Sequence, residues 1–305
     1  MSTLHPQLAR IAREHDGVVT RLHAAARHVT PAVLRAAVRE KSLHRVRPGV
    51  FATRERWDAA RPHERYVLTV RGLLLAHPGW VASHHAALAL DRLPLHDVDL
   101  DMVDVAAPVK ASKIRPGLHV HVATPRQLEL AARLEVRRLP VADACVLTAV
   151  TSGFRAGVVA MDAALARSST TPEALRRALE LPGARYGVEL ARAAIEAADP
   201  RAESPGESLT RLVLLEAGLV VRSQVSITDA DGFVGRVDLL VGDRVVVEFD
   251  GAVKYDGLDG RRELMKEKKR EERLRDAGYR VVRVTWADLA HPRRLVSRVL
   301  GQLAA

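Results

Sequence analysis

The sequence predicts an α/β protein in three blocks: a helical head closed by a hairpin, an α/β middle region, and a tail of helix, hairpin, helix and strand. Three observations carry this. Thr30-Pro31 opens a helix and Pro48-Gly49 turns a short hairpin in the head. Apolar residues alternate with Val246, Glu248 and Asp250 near the end of the chain, the period-two signal of a half-buried strand. Between the two, the segment 197–208 (AADPRAESPGES) is rich in Pro, Ser, Gly and charge and reads as a linker. The expected boundaries are 1–56, 57–200 and 201–305.

In the head, Pro6 to His15 reads as an amphipathic helix with Leu8 and Ile11 inward. Asp16-Gly17 breaks it, and VVTRLHAAARHV follows as a second helix. The third, TPAVLRAAVREKSL, has Thr30 as N-cap and Pro31 at its first position. LHRVRPGVFATR then forms two strands. Helices followed by a basic hairpin resemble a winged helix-turn-helix, whose third helix enters the DNA major groove while the wing touches phosphate. Thr30, Arg35, Arg39 and Lys41 are the candidate DNA contacts, with Arg45 and Arg47 on the wing. Arg35 and Arg39, four apart, also suit a merely solvated helix face, and a three-helix unit also suits protein–protein contact.

The middle block predicts strands at Leu100–Ala106 and Leu118–Val122, and helices at Arg65–Ala76, Ala82–Leu90, Arg155–Ala166 and Pro172–Leu179. His119 and His121 share one strand face, but no Cys, Asp or third His stands at a ligand-like spacing, so a surface histidine pair is the expectation. His84-His85 after Ser83 read as a helix start. Asp97, Asp99, Asp101 and Asp104 lack the Gly and Glu of an EF-hand loop and read as solvated acids.

The tail holds the most informative stretch, RVDLLVGDRVVVEFDGAVK from Arg236 to Lys254. Carboxylates on a strand face are costly to desolvate without a partner. Asp238, Glu248 and Asp250 supply the hard oxygen ligands that Mg²⁺ (or Mn²⁺) prefers. A two-residue turn would put Asp238 opposite Val247 and turn it away from Glu248; a three-residue loop, Gly242 to Arg244, would set it opposite Glu248. The odd-length loop, or an equivalent bulge, is the expectation. The competing readings are an edge-strand aspartate near a turn for Asp238 and a favourable first-turn acid for Glu207. Helix Arg261 to Ala277 is heavily charged, with Lys266, Lys269 and Arg270 on overlapping faces, and reads as solvated unless Arg270 approaches the acids. Trp286 is expected on the last strand, packed on the sheet.

Composition sets outer bounds. The chain has 305 residues, 48% of them hydrophobic but only 4% aromatic, so its cores are built from Ala, Val and Leu. A formal net charge of +10 favours polyanionic partners, although Arg richness can also follow the base composition of a genome. The single cysteine, Cys145, rules out an intramolecular disulfide and sits in an apolar run as a small core residue. Apolar runs are too short to span a membrane and no signal core is present, so a cytoplasmic protein is expected. Walker loops, dinucleotide fingerprints and serine-hydrolase elbows are missing.

The tail resembles the PD-(D/E)XK nuclease superfamily, and more closely the small domains related to very-short-patch-repair endonucleases. The resemblance rests on SPGESLTRLVLLEAGL, the acidic hairpin, RRELMKEKKREERLRDAG and YRVVRVTWADL, roughly 203–290. It implies a restriction-endonuclease fold with Glu207, Asp238 and Glu248 as metal ligands, and Asp250 beside them. One position departs: where the superfamily has Lys two residues after the Glu, this chain has Asp250, and Lys254 stands at a later position used in similar branches. The resemblance makes Lys254 the residue that holds the attacking water or stabilises the phosphate, and Lys266, Lys269 and Arg270 the positive charge around it.

The head, DGVVTRLHAAARHVTPAVLRAAVREKSLHRVRPGVFA, resembles the winged-helix domain of type IV antitoxins related to abortive infection, with Phe51 at the aromatic position of the wing. RYVLTVRGLLLAHPGWVASHHAALALDRLPL continues that likeness. Together the resemblances imply a Mg²⁺-dependent DNA endonuclease targeted by a winged-helix head. The alternative is a non-catalytic DNA-binding regulator, or an antitoxin-like protein with a toxin partner and a degenerate nuclease domain.

Overall fold

The computed structural model describes residues 4–134, 136–181, 186–251 and 257–305. Among these residues it is a mixed α/β protein with three sheets, one antiparallel and two mixed.

The head runs α1 (Pro6–Glu14), β1 (Val18–Thr20), α2 (Arg21–Ala26), α3 (Pro31–Arg39), β2 (Leu43–Arg47) and β3 (Val50–Thr53). Its strands form an antiparallel sheet in the order β1-β3-β2. The expected second helix is corrected here: its first three residues are a strand. Val18 and Val19 are β-branched, buried and paired with Ala52 and Phe51. Thr20 then caps the shortened helix, its hydroxyl accepting from His23 N at 3.1 Å. Leu8, Ile11, Leu34, Leu43 and Phe51 make the head's own core.

The middle region follows as α4 (Arg54–Ala59), α5 (Pro62–Ala76), β4 (Val81–Ala82), α6 (His84–Leu90), β5 (Val103–Ala107), β6 (Lys113–Arg115), β7 (Leu118–Val122), α7 (Pro125–Ala132), α8 (Val141–Ser152), α9 (Phe154–Ala166), α10 (Pro172–Ala178) and α11 (Val188–Ala197). Its sheet is ordered β4-β5-β7-β6, with β5 and β7 parallel. Cys145 is fully buried in α8, a helix that an all-round apolar run had hidden. The main core of the molecule lies here, yet it also takes in Val50 from the head and Leu212 from the tail. Neither expected boundary is therefore a gap between cores.

The stretch read as a linker is a packed joint: Asp199 and Ala202 are buried, and Asp199 N donates to Asp162 Oδ1 at 2.7 Å. Beyond it come α12 (Pro205–Glu216), β8 (Val221–Asp229), β9 (Gly232–Val241), β10 (Val245–Phe249), α13 (Gly257–Asp276), β11 (Arg280–Val284), α14 (Trp286–Leu289) and α15 (Pro292–Ala304). The sheet order is β11-β10-β9-β8, antiparallel except for the parallel β10–β11 pair.

Two tail expectations are corrected. Strand β10 is covered on both faces: Val245 and Val247 pack with Val213 and Leu214 of α12, while Val246 packs with Leu274 of α13. Trp286 opens α14 instead of closing a strand, because Thr285 N and Oγ1 both donate to Asp288 and start a helix. Its ring is half exposed and meets Phe249 edge-on, centroids 5.1 Å apart. Among the described residues, no helix is long and apolar enough to cross a membrane.

Candidate functional site

The loop joining β9 to β10 is Gly242 to Arg244, the three-residue length the acidic pattern called for. Val245 pairs with Val241, Val246 with Leu240 and Val247 with Leu239. One step further along this register Asp238 stands across from Glu248, and Phe249 N donates to Asp238 Oδ2 at 2.9 Å.

Glu207 reaches the same end of the sheet from α12. Ser204 caps the helix through Glu207 N at 3.2 Å, and Pro205-Gly206 form its first turn. Gly206 is there for space, since a Cβ on it would stand 2.0 Å from the Phe249 ring. Glu207 is buried, and its Oε2 accepts from Glu203 N at 3.0 Å and Gln224 Nε2 at 2.8 Å. Gln224 lies in β8 between Ser223, paired with Leu239, and Val225, paired with Val237, so it is level with Asp238. Its φ of 54° is rare for a residue with a side chain. Sequence reading missed Gln224, and no pattern in the strand signals it.

Arg270 completes the group from α13. It donates to Glu248 Oε1 at 2.7 Å and to the Arg236 carbonyl at 2.8 Å. Gly235 makes room for it: a Cβ there would lie 2.5 Å from Arg270 Nε. The helix is less free than a solvated one, because Glu267 and Glu271 both pair with Arg283 of β11, and Arg273 pairs with Asp229.

Electrostatics distinguish the two hairpin acids. Burial pushes Asp238 up to about 6; the Phe249 amide opposes this, and the charges of Glu248 and Glu207 add to it. Burial also raises Glu248, with Arg270 opposing. Asp238 is therefore the acid that most needs a positive partner.

The remaining predicted residues are placed as follows. Asp250 directly follows β10, its amide donating to Val284 O at 2.7 Å. Lys254 lies outside the described residues. Lys266 and Lys269 are exposed along α13. Thr30, Arg35, Arg39, Lys41 and Arg45 are exposed on the head, Lys41 just beyond the end of α3. Arg47 is engaged, donating to the Asp101 carbonyl at 2.8 Å. A cleft of about 1090 Å³ runs between head, middle and tail, carries Arg56, Arg71, Arg92, Arg167, Arg201 and Arg236 on its walls, and reaches Ser204 and Gln224 beside Glu207.

A second polar cluster overturns the expectation for the middle-region histidines. Among the described residues, the three His, Cys, Asp or Glu side chains whose ligand atoms all lie within 4.8 Å of one another are His84, Asp104 and His121. Asp104 is buried, not solvated, and its Oδ1 lies 2.6 Å from His121 Nε2. Spacing along the chain hid the set because parallel pairing of β5 with β7 sets Asp104 beside His119, and α6 brings His84 from elsewhere.

No protein-family model matches the chain. Two relatives from Mycobacterium tuberculosis, the uncharacterized protein MT2308 of strain CDC 1551 / Oshkosh and the uncharacterized protein Rv2248 of strain ATCC 25618 / H37Rv, are each 28% identical over 200 residues, which cover 63% of this chain and 70% of theirs.

Proposed function

We propose that the protein is a divalent-metal-dependent DNA endonuclease whose winged-helix head supplies duplex affinity. The observation that carries this reading is the three-residue hairpin loop, which sets Asp238 across from Glu248 at the sheet end reached by Glu207. The order of helix, three antiparallel strands, helix and parallel strand supports a PD-(D/E)XK-like tail. Three helices with a β1-β3-β2 sheet support a winged helix, with Thr30, Arg35 and Arg39 displayed on its third helix.

The donor set fits Mg²⁺ or Mn²⁺, since Glu207, Asp238 and Glu248 offer only oxygen and, among the described residues, Asp238 makes no salt bridge. When bound, such an ion would lower the pKa of a coordinated water and polarise the phosphate. Arg270 holds one Glu248 oxygen and would lend positive charge to a bound phosphate. The cleft beside Glu207, where six arginines outnumber Asp16, Glu64 and Glu203, would carry the polyanion.

The rival reading, a non-catalytic DNA-binding regulator, is favoured by two features: Asp250 occupies the usual Lys position, and Arg270 already neutralises Glu248. Nicking of supercoiled plasmid decides between them. Wild type is expected to nick with Mg²⁺ or Mn²⁺, and Asp238→Ala to do so at least about 10²-fold more slowly. Equal rates from both proteins would remove the enzyme reading. DNA binding without any cleavage would install the regulator in its place.

A further inference from the structure

We propose that His84, Asp104 and His121 bind one late first-row transition-metal ion, Zn²⁺ foremost, at a site separate from the acids of the tail. The residues come from three elements: His84 opens α6, Asp104 lies on β5 and His121 on β7. Their ligand atoms all fall within 4.8 Å of one another, close enough that small side-chain shifts bring them to a shared ion about 2 Å from each. Two imidazoles and one carboxylate select Zn²⁺ over Mg²⁺, which wants oxygen donors.

A second observation points to positive charge at Asp104. His85, at 3% exposure, has its Nε2 3.1 Å from the carbonyls of both Asp99 and Met102. Carbonyl oxygens only accept, so that nitrogen carries the proton. His85 Nδ1 is buried without a hydrogen-bond partner and stands 3.4 Å from Asp104 Oδ2. A buried polar atom left unpaired beside a carboxylate is costly, and positive charge at Asp104, from a metal or from a second proton on His85, relieves it.

His119 Nδ1 lies 3.6 Å from Asp104 Oδ1 on the more open side, where a fourth ligand or water would close the shell.

The test uses the full chain, stripped with chelator and titrated with Co²⁺. One equivalent is expected to give the visible absorption of a four-coordinate cobalt–imidazole site, bleached by Zn²⁺ and indifferent to excess Mg²⁺. Zn²⁺ is expected to raise the melting temperature of the stripped protein. Asp104→Asn and His121→Gln should weaken uptake at least about tenfold, while Asp238→Ala, which tests the tail, should leave it unchanged. Wild type that takes up neither metal overturns the proposal in favour of a protonated His85 pairing with Asp104. So does His121→Gln taking up metal as wild type does. Neither result bears on the nuclease reading.

Discussion

Asp238 sets stability against function in a single carboxyl group. Its folded pKa stands near 6 against an ordinary 3.8. Between those values the unfolded chain has already released its proton while the folded chain still holds one, so stability falls as pH rises through this window. Asp238→Asn keeps an oxygen for the Phe249 amide and removes the charge. It is expected to stabilise the metal-free protein at pH 8 by on the order of 1 kcal/mol, after allowing for solvent screening, and to gain nothing near pH 4. Urea unfolding at the two pH values checks this; an Asn variant less stable than wild type at pH 8 would refute it. Added Mg²⁺ should stabilise wild type and leave the variant unmoved. The placing of Asp238 across from Glu248 was legible because hairpin register follows from loop length, whereas Glu207 entered only through the resemblance. The sequence left Gln224 and Asp104 illegible: one depends on an unusual backbone angle, the other on a parallel pairing between strands that chain spacing does not reveal.

At the scale of elements, α12 and β10 must approach closely for Glu207 and Glu248 to share one end of the sheet. Gly206 permits it, with the Phe249 ring in the space a side chain would fill. Gly206→Ala is expected to push helix and strand apart, destabilising the fold by roughly 1–3 kcal/mol and reducing metal affinity by more than that loss of folded protein explains. Titration of Mn²⁺ at a temperature where the variant is fully folded separates the two effects; unchanged affinity would show that the approach is not needed. Most elements were readable from capping and periodicity, as with Thr30-Pro31 before α3 and the hairpin at Pro48-Gly49. Others were misread or left unread for physical reasons. Val18–Thr20 borrowed the helix's apolar pattern but pairs with β3; β10 looked half-buried because the α13 that covers it is so highly charged; and the run from Val141 is buried all round, which leaves no periodicity to read.

Over the whole molecule, one buried ion pair ties the tail to the middle. Arg211 of α12 donates to Asp162 of α9 at 2.8 Å, both side chains nearly inaccessible, and its other arm reaches the Ala197 carbonyl at 2.7 Å. Asp162 also accepts from Asp199 N in the joint between the two regions. Leu212, beside the pair, belongs to the middle region's core. Removing Asp162 alone strands a guanidinium in a dry interior, whereas replacing both charges with apolar groups strands nothing. Asp162→Ala is therefore expected to lower stability by about 3–5 kcal/mol, and Asp162→Leu with Arg211→Met to recover most of it. Denaturant unfolding of the three proteins measures both. If the single variant lost less than about 1 kcal/mol, the range of an exposed pair, the tail would be held by its apolar contacts alone. The acids at its sheet end would then be free to shift relative to the cleft that the three regions share.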